Sequence, residues 1–195
     1  MTMPKRDTYT PDSLLAVAVE VFNERGYDGT SMEDLSRVAG ISKSSIYHHV
    51  RGKEELLHRA VGRALDALFG ILGEPAAAEG SAVRQLEYVI RRTAVVLMDE
   101  LPYVTLLLRV RGNTTTERWA MKRRREFDQR VAELLKAAVA EGDLRTDVEA
   151  RLATRLLFGM INSIAEWYRP AAKGALDREQ VADAVVRLAF DGLRA

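Results

Sequence analysis

Residues 30–53, TSMEDLSRVAGISKSSIYHHVRGK, place a two-turn amphipathic helix, a glycine and a shorter, more polar helix in succession, and this order decides the fold class of the N-terminal region. Thr30 followed three residues on by Glu33 has the pattern of a capping box, in which a hydroxyl and a carboxylate satisfy orphan amides at a helix start. The pattern predicts a helix from about Ser31. Met32, Leu35, Val38 and Ala39 then recur on one face, and Gly40 stands where helices commonly end in a left-handed backbone. Ser42 can cap the next helix, with Ile41, Ile46 and Val50 inward and Lys43, Ser44, Ser45, Tyr47 and His48 outward. A helix that short and polar does not hold itself together in water, so neighbours must prop it and its outer face is what it offers. That is the logic of a helix-turn-helix DNA reader.

Charge is local rather than global. The 195 residues carry 29 Lys and Arg against 28 Asp and Glu, so no overall field draws the chain to nucleic acid or membrane. Residues 41–53 hold Lys43, Arg51 and Lys53 and no acid, whereas residues 1–40 hold four basic side chains against seven acidic ones. The positive charge is focused where the reading helix would be. Absence of cysteine excludes disulfides, thiol catalysis and sulfur-ligated metals. His48 and His49 point about 100° apart on a helix and have no third ligand nearby, so they make no metal site. There is no run of about 18 apolar residues, and MTMPKRDTYTP lacks the apolar core of a signal peptide, so the expectation is a cytoplasmic protein without a membrane partner. With no paired nucleophile and base and no glycine-rich phosphate loop, neither an enzyme nor a bound cofactor is expected.

The rest of the chain reads as amphipathic helix. Thr10 and Pro11 open a helix to about Arg25, Lys53 begins one to about Leu72, and GEPAAAEGS follows as a loop and candidate hinge. Further helices are expected at about 81–100, 103–111, from Thr114/Glu117 to about Glu141, from Thr146/Glu149 to near Tyr168, and from Asp177/Gln180 to about Gly192. The expectation is an all-α chain of about nine helices. A three-helix helix-turn-helix domain would occupy residues 1–55 and a larger helical ligand-binding and dimerisation domain residues 56–195.

The stretch AVEVFNERGYDGTSMEDLSRVAGISKSSIYHHVRGKEELL, residues 18–57, resembles the DNA-binding domain of tetracycline-repressor-type (TetR-family) transcriptional regulators. Val50 departs from the family's usual phenylalanine, Gly52 from a small polar residue and Ser36 from alanine. The resemblance implies a homodimer bound to a palindromic double-stranded operator and released by a small-molecule effector. It also implies that Lys43, Ser44 and Ser45 meet base edges and nearby backbone, and that Tyr47, His48 and Lys53 meet phosphates. EGDLRTDVEARLATRLLFGMINSIAEWYRP, residues 141–170, is similar to a branch in which GMxNxxxxWYRP closes the penultimate helix and whose members often answer to acyl-CoA thioesters.

An acyl-CoA effector needs an apolar tunnel and cationic donors for phosphate. Tyr88, Tyr103, Trp119, Phe127, Phe158 and Trp167 are the candidate lining residues, and Arg109 and Arg111 are placed better for phosphate than the run Lys122–Arg125, whose members a helix turns to different sides. The alternative is a multidrug or lipophile sensor controlling an efflux system, favoured if the pocket is wholly apolar. For the dimer interface, the small residues Ala153, Gly159 and Ser163 in one helix and Ala182 and Ala189 in the next allow close packing as a four-helix bundle.

Overall fold

Thr10 caps the first helix as the sequence requires: its hydroxyl accepts the Ser13 amide at 3.1 Å and its amide donates to the Ser13 hydroxyl at 2.9 Å. This helix, α1 (Pro11–Arg25), ends at Gly26 with φ 79°. The computed structural model describes residues 10–170 and 176–194, so Lys5, Arg6 and Asp7 and the N-terminal reading of residues 1–9 lie outside the described residues.

Helix α2 (Met32–Ala39) is capped one residue later than the Thr30/Glu33 pattern suggests. Ser31 accepts the Asp34 amide at 3.1 Å and Asp34 accepts the Ser31 amide at 3.0 Å. Thr30 is instead buried, and its hydroxyl donates back to the Gly26 carbonyl at 2.7 Å, closing the turn between α1 and α2. Val38, expected inward, is 47% exposed, because only the Leu35 and Ala39 edge of this short helix is buried. Gly40 adopts the expected left-handed conformation, φ 67° and ψ 23°. Helix α3 (Lys43–Tyr47) follows, then α4 (Lys53–Ile71). Helix α4 packs on α1 and also on the helices beyond it.

Residues 73–81 are a braced connection and not a loose hinge. Pro75–Ala78 form a 3-10 turn with Ala77 buried, and Glu74 pairs with the Arg92 guanidinium at 2.9 and 3.0 Å while accepting the Tyr88 hydroxyl. Both partners hold the Glu74 carboxyl below the usual carboxylate range, Arg92 more strongly. Then come α5 (Ala82–Asp99), α6 (Leu101–Arg109) and α7 (Thr115–Ala140), the last opened by the expected Thr114/Glu117 box. Helix α5 is the hub: Thr93 to Met98 are buried without interruption, the signature of a helix surrounded on all sides, and α5 touches α4, α6, α7, α8 and α9. Side chains such as Leu86, Ile90 and Leu97, fully withdrawn from water, stabilise the fold by about 1.5–3 kcal/mol each.

Helix α8 (Ala150–Trp167) starts from Glu149, whose carboxylate accepts the Arg151 and Leu152 amides at 3.0 and 2.9 Å. The expected Thr146 cap does not form. Arg145 ties the preceding segment to the chain's other end, its amide donating to the Leu193 carbonyl at 2.9 Å, and its guanidinium grips Asp147. Helix α9 (Arg178–Leu193) is capped by Asp177 as expected. Among the described residues the fold is thus all-α, nine α-helices, with one isolated bridge between Leu144 and Arg194 in place of any sheet. No helix among them is long and apolar enough to cross a membrane.

The turn between α6 and α7 is stitched to the N-terminal helices. Arg109 donates to the Asn23 carbonyl at 2.6 Å, Asn113 to the Asp28 carboxylate at 2.9 Å, and the Thr116 amide to Glu54 at 3.3 Å. Glu117, buried, accepts the Arg111 amide at 3.1 Å and the Thr114 amide at 2.8 Å, which fixes the turn's shape from within.

Candidate DNA interface and effector cavity

Ser42 sits in extended backbone and accepts the Ser45 amide at 3.1 Å, satisfying an orphan donor of α3. Its hydroxyl also meets those of Ser44 and Ser45 at 2.9 and 2.7 Å. The Ser36 hydroxyl donates to the Ile41 carbonyl at 2.6 Å, so the serine that replaces the family's usual alanine pins the end of α2 to the start of the reading helix. Ile46 and Val50 are buried beneath α3, as expected. Lys43, Ser44, Tyr47 and His48 are exposed, with Tyr47 48% accessible, whereas Ser45 is half-buried. Four of the six candidate DNA-contacting residues therefore present themselves together.

Lys53 stands apart. Its Nζ donates to the Tyr27 carbonyl at 3.0 Å and the Thr30 carbonyl at 2.9 Å and lies 4.4 Å from the centre of the Tyr27 ring. Burial, with Glu54, Glu117 and Asp28 around it, pushes the Tyr27 hydroxyl up to about 12. Arg51, outside the candidate set, is exposed beside α3, and its amide is held by Glu55 at 2.7 Å. Its guanidinium enters none of the ion pairs among the described residues. The excess of base over acid in residues 41–53 is the signal that points to it.

A cavity of about 700 Å³ opens between α4, α5, α6, α7 and α8. Leu68, Leu97, Val104, Leu107, Phe127 and Phe158 make its apolar wall, and the Phe127 ring centre lies 6.0 Å from that of Phe158. Cationic side chains share this lining: Arg124, Arg125, Arg151 and Arg155 contribute to it, accompanied by Asp128 and Glu149. None of the four arginines enters an ion pair among the described residues. Burial lowers the pKa of the Arg124 guanidinium, and burial raises that of Asp128 against the pull of Arg124 and Arg155.

Of the eight residues expected at a pocket, only Phe127 and Phe158 line this cavity. Tyr88 is engaged by Glu74, Tyr103 by the Arg63 guanidinium 4.2 Å from its ring centre, and Trp119 by His58 at 4.5 Å between ring centres. Arg109 is spent on the Asn23 carbonyl, Arg111 lies in the turn that Glu117 shapes, and Trp167 is on the outside of α8. Of the arginines weighed for phosphate, Arg124 and Arg125 of the basic run line this cavity, and Arg109 and Arg111 do not. Which side of α7 faces inward depends on its packing, which four successive basic residues do not disclose.

The expected dimer residues divide similarly. Ala153, Ala182 and Ala189 are buried within the protomer and serve packing inside it, while Gly159 and Ser163 are exposed. Beside them lie large apolar side chains that the small-residue pattern passed over: Leu152 at 50% exposure, Leu156 at 64% and Leu188 at 73%.

Residues 14–60 match the family model described as bacterial regulatory proteins, tetR family, and residues 79–193 match a tetracyclin repressor-like C-terminal domain. The HTH-type transcriptional repressor KstR2 of Rhodococcus jostii is 29% identical over 202 residues, spanning 99% of this chain and 98% of its own length. SCO3833, a TetR-family member from Streptomyces coelicolor A3, is 70% identical and superposes with a TM-score of 0.88 over 96% of this chain and 94% of its own. AibR, solved with isovaleryl coenzyme A and operator DNA, is 23% identical and shares the fold, with a TM-score of 0.77 over 92% of this chain and 97% of its own. A helix-turn-helix with an exposed reading face, joined to a helical domain whose family model covers residues 79–193, makes this chain a member of the TetR family of bacterial transcriptional regulators, a DNA-binding protein and not an enzyme.

Proposed function

We propose that this regulator is a cytoplasmic repressor that binds a palindromic operator as a dimer and lets go when an acyl-CoA thioester enters the cavity between α4 and α8. The observation that carries the reading is the cavity's mixed chemistry: apolar side chains share its lining with four arginines that enter no ion pair among the described residues. An acyl group fits the wall. The nucleotide phosphates fit the guanidinium donors, which are planar, permanently charged and suited to bidentate contact. A volume of about 700 Å³ falls in the range of small-molecule sites. The repressor assignment draws on the likeness to KstR2, and AibR supplies a case of this fold holding an acyl-CoA and operator DNA.

The same reading puts a second copy on the exposed strip of α8 and α9, where Leu152, Leu156, Trp167 and Leu188 are each about half or more exposed. Two reading helices about 34–36 Å apart then address successive major grooves. A ligand releases DNA by favouring a conformation with that spacing wrong, and a hundredfold loss of affinity takes about 2.7 kcal/mol of differential binding.

Calorimetry against a panel of acyl-CoAs and the matching free acids tests the effector. Binding by thioesters and not by free acids, with loss of operator affinity, is the expected result. Binding by uncharged lipophiles with no heat from any thioester hands the site to the lipophile sensor.

A further inference from the structure

The resemblance assigns Lys53 to a phosphate, yet the side chain is aimed at its own protein. Its ammonium donates to two carbonyls, Tyr27 at 3.0 Å and Thr30 at 2.9 Å, and its charge lies 4.4 Å from the centre of the Tyr27 ring. Two of its three N–H donors are thus committed, and an aromatic face occupies a further direction. Those carbonyls bracket the turn between α1 and α2. The Thr30 amide closes the turn onto the same Tyr27 oxygen at 3.2 Å, and the Thr30 hydroxyl closes it again onto Gly26. Lys53 is also the first residue of α4, the helix that runs from the reading unit into the cavity wall. One cation therefore bolts the turn that launches α2 to the helix that leaves α3.

We propose that Lys53 is a positioning residue for operator recognition, setting the pose of α2 and α3 against α4, and that the phosphate contact at this edge belongs to Arg51. Arg51 is exposed, its backbone is fixed by Glu55 at 2.7 Å, and its guanidinium is free of ion pairs among the described residues. This inference rests on operator binding through α3. Withdrawing Lys53 toward DNA would strip a cation from two carbonyls and a ring, whereas the Arg51 guanidinium enters no hydrogen bond or ion pair among the described residues and is drawn only weakly toward Glu55.

The two roles leave different traces in salt. A lost phosphate contact lowers the slope of log K against log salt by about 0.9 per protomer and weakens all sequences alike. A lost positioning contact leaves the slope and the non-specific affinity as they were and weakens the specific site alone. The probe is a duplex selected by the wild-type protein from a random pool; failure to select any duplex defeats the operator reading itself and is distinguishable from every result below.

Lys53→Met, which keeps the alkyl stem, is expected to weaken the selected duplex about tenfold, the cost of roughly one mismatched base pair, with slope and non-specific binding unchanged. Arg51→Met is expected to lower the slope and weaken selected and scrambled duplexes equally. A lowered slope for Lys53→Met, or affinity equal to wild type, overturns the proposal. A readout independent of folding variants is amine acetylation of the free wild-type protein followed by mass spectrometry. Exposed Lys43 reacts while Lys53 stays protected, and equal reactivity of the two overturns the assignment.

Discussion

The Arg109 guanidinium lies 2.6 Å from the carbonyl oxygen of Asn23, and the Asn23 side-chain amide in turn donates to the Pro102 carbonyl at 2.8 Å, so one residue near the end of α1 grips α6 at both ends. Between those grips α6 presents Val104, Leu107 and Leu108 to the cavity. The Arg124 guanidinium, also in the cavity lining, donates to the Leu107 carbonyl at 3.4 Å. A ligand that competes for Arg124 or presses on Leu107 thus acts on the element that holds the DNA-reading unit. Arg109→Ala is expected to leave ligand-free operator affinity near wild type and to shrink the loss caused by a saturating acyl-CoA by about fivefold, the lower end of ordinary coupling energies. Fluorescence anisotropy of labelled duplex with and without ligand measures it.

Leu156, 64% exposed on α8 and not part of the cavity wall, separates assembly from ligand binding. Leu156→Arg would bury an unpaired charge against a second copy, at a cost of several kcal/mol. Sedimentation velocity is expected to show monomers with the helical circular dichroism of the wild type. A dimer that survives the substitution moves the interface off this face.

Phe127 is buried, with the Phe69 ring centre 5.6 Å away and that of Phe158 at 6.0 Å. Phe127→Ala removes this packing beside an existing void, so little collapse can repair it, and a loss of about 3–5 kcal/mol of unfolding free energy is expected. Urea denaturation reads the change as a lowered midpoint.

Tyr27 provides a spectroscopic test of the junction under α2. Its hydroxyl ionises at about 12 where an ordinary tyrosine does so at 10.0, burial being the chief cause and Glu54 the next. The folded chain binds that proton more tightly than the unfolded chain, so the associated stability is complete below pH 10 and is lost as pH rises through about 12. Titration of phenolate absorbance should show a late component near pH 12 that disappears in Tyr27→Phe, while Tyr88, whose ionisation is also raised by its bond to Glu74, stays late. An early transition for all tyrosines contradicts the burial of Tyr27 beside Glu54.

Features written in short-range chemistry were legible in the sequence. Thr10 with Pro11, Thr114 with Glu117, Gly40 and Asp177 name helix ends because each cap needs only its neighbours within one turn. Thr30 misled because two adjacent residues offered boxes, and the choice of Ser31 with Asp34 follows from the α1–α2 turn claiming the Thr30 hydroxyl. Thr146 does not cap α8; the segment before it is instead held from the chain's far end, where the Leu193 carbonyl accepts the Arg145 amide. Lys43, Ser44, Ser45 and Tyr47 lie on one short helix with His48 at its end, and four of these five are exposed together, whereas cavity residues come from five helices. Aromatic rings drew attention there. Trp119 and Tyr103 found partners elsewhere, and the cationic part of the lining arose from Arg124, Arg125, Arg151 and Arg155, which meet only when α7 and α8 pack.

Leu152 and Gly159 belong to two surfaces at once, the rim of the cavity and the exposed apolar strip of α8. A Cβ added at Gly159 would meet nothing within 4 Å, so larger side chains enter there without disturbing the protomer. If the cavity takes the effector and the strip takes a second copy, as proposed, a single substitution at either position changes both what the cavity admits and which copies pair, so ligand choice and partner choice are tied at the same residues.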